Sequence, residues 1–158
     1  MATTLQMKDD VPDVRLEPGD VAPDFTLFDA GKHPVTLPQY RGRTVVLAFL
    51  PEGDDEDRRH LDGLGELAEA DPGSPVAIVG VRPCEERVLA EWERDKHLPL
   101  PVLCDNKFVV HQAFGAHVED RGARRTTVVL NGRGEVQHAW YGGDVDEHLD
   151  LTREHLTP

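Results

Sequence analysis

No cysteine occurs in the first 83 residues of this chain, and the whole of it holds two, Cys84 and Cys104. That is too few for a disulfide framework, so these are unlinked thiols, a redox pair or core filler, and the fold has to be held by a hydrophobic core. No stretch approaches the roughly 20 apolar residues that a membrane span needs. The N-terminus, MATTLQMKDDVPDVRLEPGD, lacks a basic start followed by an apolar core, so no secretory signal is expected and a cytoplasmic location is the default. Positive charge is scarce too: 17 Lys and Arg against 30 Asp and Glu give a formal net charge of -13. Nucleic acid and anionic membrane surfaces carry charge of that same sign, so neither is expected as a main partner. The eight histidines form no HxH, HExxH or Cys/His zinc pattern.

What is present is patterned. At 158 residues, 39% hydrophobic and 30% charged, the chain has the size and balance of one soluble domain with a buried core. Its organising stretch is Thr44 to Leu61. Val45-Val46-Leu47-Ala48-Phe49-Leu50 reads as a strand buried on both faces. Pro51 and Gly53 break it, and an acidic block from Glu52 to Asp57 leads into a helix over 57–70, where Leu61, Leu64, Leu67 and Ala68 recur at helical spacing. A strand that runs into a loop and a helix start is a usual seat of chemistry in α/β proteins.

The flanks complete the plan. Residues 1–16 read as a tail. Val21 to Phe28 and Pro34 to Leu37 are short strands around a turn at Asp29 to Lys32, an N-terminal hairpin. Val76 to Val81 is a second central parallel strand, and Glu85 to Lys96 a helix with Val88, Leu89 and Trp92 on one face. Leu98 to Leu103 is extended, Val109 to Phe114 a short helix closed by Gly115. Arg125 to Leu130 and Glu135 to Tyr141 form a hairpin about Asn131-Gly132, and a last helix covers Asp146 to His155. This order predicts an α/β, thioredoxin-like fold with a central mixed β-sheet flanked by helices, as a single domain over residues 17–158.

The chain resembles the peroxiredoxins of the alkyl-hydroperoxide-reductase/thiol-specific-antioxidant family, of the bacterioferritin-comigratory type. The resemblance is carried by Gly19-Asp20-Val21-Ala22-Pro23-Asp24-Phe25-Thr26-Leu27, by Val35-Thr36-Leu37 with Tyr40-Arg41-Gly42-Arg43, and by Val45 to Pro51. It continues through Val79-Gly80-Val81, Leu98 to Asp105, Phe114-Gly115 and Arg125 to Asn131 with Gly134. The resemblance implies hydroperoxide reduction by a cysteine at a helix start, in a PxxxTxxC pattern, assisted by an Arg from a later strand. Helix-start amides and the Arg would stabilise the thiolate. Here Pro51 matches the Pro and Arg125 the Arg. The Thr falls at Asp55, however, and the Cys at Asp57 or Arg58. Five carboxylates between Glu52 and Asp57 also raise a nearby thiol's pKa and repel anions.

Three classes of function stay open. One is a peroxiredoxin-like protein without the peroxidatic cysteine that acts through binding to a protein or a small molecule. Another is a thiol-dependent oxidoreductase using Cys84, with or without Cys104; the two would share one rim of the sheet, with Cys84 just before a helix start that favours thiolates. The last is a ligand- or metal-binding module that reuses the old pocket, its cation held by Asp54, Asp55, Asp57 or His60. Arg125 is expected to pair with Asp57 or another acid of the loop, as a structural ion pair. His111 and His117 read as surface or structural residues, and Trp92, Trp140 and Tyr141 as packing. No cofactor or bound metal is expected, and relatives of this length imply a monomer or homodimer.

Overall fold

The computed structural model describes residues 15–51, 54–70, 75–96, 99–118 and 122–156. In chain order these form β1 (Thr26–Asp29), β2 (Pro34–Thr36), β3 (Val45–Phe49), α1 (Asp54–Ala70), β4 (Ala77–Arg82) and α2 (Glu86–Lys96). Then follow β5 (Val102–Cys104), α3 (Val109–Phe114), β6 (His117–Val118), β7 (Gly122–Ala123), β8 (Thr126–Leu130), β9 (Val136–Tyr141) and α4 (Val145–Leu156). Seven strands make one mixed sheet in the order β2-β1-β5-β4-β3-β8-β9. β3, β4 and β5 run parallel, joined by helical crossovers; β1 and β8 flank them antiparallel. This is the thioredoxin-like arrangement that the element order predicts.

The unbroken apolar run of β3 follows from burial of both sheet faces. Val45, Leu47 and Phe49 point into a core shared with Phe25, Leu103 and Phe114. Val46, Ala48 and Leu50 point into a second one, shared with Leu61, Leu64, Leu89 and Val102. Side chains alternate along a strand, so a strand covered on both sides needs apolar residues at every position.

Two boundaries differ from expectation. α1 starts at Asp54, so Asp54 to Asp57 belong to the helix itself; acids in a first turn favour the helix through its dipole. Glu52 and Gly53 lie outside the described residues. The first strand starts at Thr26, and Val21 makes only an isolated bridge to Glu135. Pro23, between the two, has no amide hydrogen to give a ladder. The hairpin of β8 and β9 turns where expected, with Asn131 Oδ1 accepting from the amides of Arg133 at 2.9 Å and Glu135 at 3.0 Å. Leu16, which the sequence places in the tail, packs against the first core, and its amide donates to the Tyr141 hydroxyl at 2.8 Å.

Candidate functional site

Two clusters of reactive side chains lie at the C-terminal rim of the parallel strands. The first forms where β3 hands over to α1. β8 lies beside β3 with Thr126 opposite Phe49, so Arg125, one residue earlier, is delivered to the start of α1. Asp57 is fully buried there, and Arg125 nearly so. Arg125 Nη2 donates to Asp57 Oδ1 at 2.8 Å, and Nη1 lies 2.8 Å from His60 Nδ1. A guanidinium only donates, so Nδ1 of His60 is the acceptor and the ring's proton is on Nε2. That Nε2 is buried with no hydrogen-bond partner among the described residues. Burial, and then the Arg125 charge, lower the His60 pKa to about 3, so the ring is neutral at physiological pH.

His148 stands behind it, with ring centroids 6.0 Å apart. Its Nε2 donates to the Gly142 carbonyl at 2.6 Å, which leaves Nδ1 to accept from the Thr127 hydroxyl at 2.8 Å. Burial lowers its pKa as well. The cluster is therefore one cation held by two carboxylates, the buried Asp57 at 2.8 Å and the exposed Glu56 at 3.9 Å, and backed by two neutral imidazoles.

The other expected residues of this region do not converge. Pro51 is half-buried at the end of β3, and Asp55 is exposed on the first turn of α1. Arg58 turns along its own helix to Asp62 at 3.2 Å. The candidate cation set is corrected accordingly. Asp57 and His60 face a guanidinium, Asp55 faces solvent, and the Asp54 side chain is outside what is described. Among the described residues no group of three or more His, Cys, Asp or Glu is placed to hold a metal ion.

The second cluster is the cysteine pair. β4 and β5 are parallel with Arg82 opposite Cys104, so Cys84, two residues past Arg82, arches over the end of β5. The sulfurs stand 3.8 Å apart, and the Cys104 thiol also donates to the Cys84 carbonyl. Cys84 is half-buried and Cys104 buried. The expectation that a helix start favours the Cys84 thiolate is overturned. Burial, and then the neighbouring Cys104, push its pKa up to about 12. Arg82 works in the opposite direction but is the weaker influence, and its guanidinium lies over the Trp92 ring at 3.9 Å.

A buried network ties the end of β5 to the end of β3, between the two clusters. Asp105 accepts from the amides of Val110 at 3.0 Å and His111 at 2.7 Å, and lies 2.6 Å from His111 Nδ1. His111 Nε2 in turn lies 3.0 Å from the Leu50 carbonyl. His111 is thus a fully buried structural residue, while His117 is half-exposed beside the Phe108 ring. Local sequence does not mark His148 or the Asp105–His111 link as part of this region. The available signal was spacing: His148 falls between Val145 and Thr152 on the buried face of α4.

The sheet order and the polar clusters at the C-terminal rim of its parallel strands define a redoxin of the thioredoxin-like fold. Its family follows from comparison with known proteins: the AhpC/TSA family model matches residues 18–139, and the chain belongs to that family. A Mycobacterium tuberculosis protein named among the peroxiredoxins is 32% identical over 155 residues, 90% of this chain and 96% of its own. The alkyl hydroperoxide reductase E of Mycobacterium bovis is 33% identical over 135 residues, 78% of this chain and 84% of its own. In structure the chain is similar to peroxidoxin BcpB from M. tuberculosis, with TM-score 0.79 and 23% identity over 90% of this chain and 97% of that one. It is also similar to the bacterioferritin comigratory protein of Xanthomonas campestris, with TM-score 0.74 and 22% identity over 89% and 95%. At those identities the structures speak for the fold.

Proposed function

We propose that this AhpC/TSA-family protein does not reduce hydroperoxides at the start of α1, and acts through binding rather than peroxide turnover. One observation carries the reading: the buried ion pair between Arg125 and Asp57. Reduction of a peroxide by a thiol needs a thiolate whose charge is held by helix-start amides and a cation. The buried first-turn side chain that meets Arg125 is the Asp57 carboxylate, with the exposed Glu56 farther off at 3.9 Å, and no cysteine precedes residue 84. A carboxylate cannot attack a peroxide oxygen as a thiolate does. It also satisfies the guanidinium that would otherwise bind an incoming anion. Of the two positions the resemblance leaves for the lost cysteine, contact with Arg125 favours Asp57 over Arg58.

Purified full-length protein with dithiothreitol and either hydrogen peroxide or cumene hydroperoxide is expected to consume no peroxide above the protein-free background. Asp57→Cys would set a thiol beside Arg125 and is expected to gain thiol-dependent consumption. Wild-type turnover that survives in Cys84→Ser and Cys104→Ser would overturn the reading.

A further inference from the structure

We infer that Cys84 and Cys104 are a reversible dithiol–disulfide couple, closed by exchange with a low-molecular-weight disulfide and independent of the start of α1. The geometry carries this. The sulfurs are already 3.8 Å apart, so bonding at about 2.05 Å needs them to close by less than two ångströms. One partner is held in the end of β5; the other sits on the short turn between β4 and α2, outside the strand ladder. Their access differs. Cys84 is half-buried and lines an open cleft of about 510 Å³ with Pro83, Val88, Lys107 and Phe108; Cys104 borders a neighbouring cleft beside Val109 and Val110 but is only 5% exposed. An incoming disulfide therefore reaches Cys84 first.

The steps balance. Cys84, deprotonated, attacks one sulfur of the disulfide RSSR, and RS⁻ leaves with the electron pair of the broken S–S bond. The Cys104 sulfur then gives up its proton and attacks Cys84 Sγ within the mixed disulfide, expelling a second RS⁻. The protein loses two hydrogens, RSSR becomes two RSH, and the two cysteine protons end on them. The attacking sulfur must first lose its proton, so closure is expected to speed up as the pH rises. The bond would tie the exits of β4 and β5 and enclose α2.

The experiment equilibrates full-length protein with glutathione and glutathione disulfide at about pH 8, followed by acid quench, alkylation and intact-mass and peptide analysis. Wild type is expected to lose about 2 Da, retain no glutathione, and revert with dithiothreitol. Cys104→Ser is expected to keep one glutathione on Cys84, while Cys84→Ser stays unmodified because Cys104 is buried. Cys104→Ala repeats the arm if the serine variant misfolds, and the wild-type peptide map stands without either. Two alkylated thiols after equilibration, or a glutathione retained on wild-type Cys84, would overturn the inference. The peroxide assay above bears only on the start of α1, so the two readings fail separately.

Discussion

Arg125 and Asp57 compensate each other's charge inside the protein. Removing one leaves a buried charge without its partner, and Asp57→Ala is expected to cost about 3–5 kcal/mol. The double variant Asp57→Ala with Arg125→Met should cost clearly less than the sum of the single changes; urea denaturation of all four proteins gives the coupling, and strict additivity would refute it. His60 makes the fold acid-sensitive. Its folded pKa is near 3, against 6.5 for the ordinary side chain, so the unfolded chain binds the proton more readily. The stability from keeping the ring neutral is complete above pH 6.5 and falls by about 1.4 kcal/mol per pH unit from there towards pH 3. His148, lowered by burial too, adds to the loss. Urea midpoints at about pH 7 and about pH 5 should differ less in His60→Gln, whose amide oxygen can still accept from Arg125. At this scale the ion pair was legible because Arg125 and the acidic block are both marked by the family pattern. The histidines were not, since nothing local distinguishes a helical histidine facing solvent from one facing a guanidinium.

Among the elements, α1 approaches its neighbours closely at two glycines. A Cβ at Gly65 would stand 2.5 Å from Pro99 Cβ, and one at Gly63 would stand 2.6 Å from Leu149 Cδ1. These glycines cost helix propensity and in return allow α1 to approach the segment before β5 and α4. Proline cannot swing aside as leucine can, so Gly65→Ala is expected to lose about 1–3 kcal/mol despite the alanine's better helix propensity. Glu66→Ala, on the exposed side, should change stability by no more than about 0.5 kcal/mol in the same urea titration. Equal effects would show that the close approach does not matter. The strands and helices themselves were readable from apolar periodicity. Their ends were not: the Asp54 start depends on how charges meet a helix dipole, and the short β1 on which amides can find a partner.

For the whole molecule, the fold was legible because many weak signals recur in order along the sequence, from Gly19 to Asn131, though no single one is specific. What stayed hidden is set by contacts between distant segments, above all the 3.8 Å approach of Cys84 and Cys104, which depends on the register of two parallel strands. The same dependence ties the end of β5 to the end of β3. Asp105, next in sequence to Cys104, grips His111, and His111 reaches the Leu50 carbonyl 61 positions away in the sequence. Leu50 directly precedes Pro51 and the approach to α1. The rim is therefore braced like a truss, its struts hydrogen bonds buried too deep for water to replace.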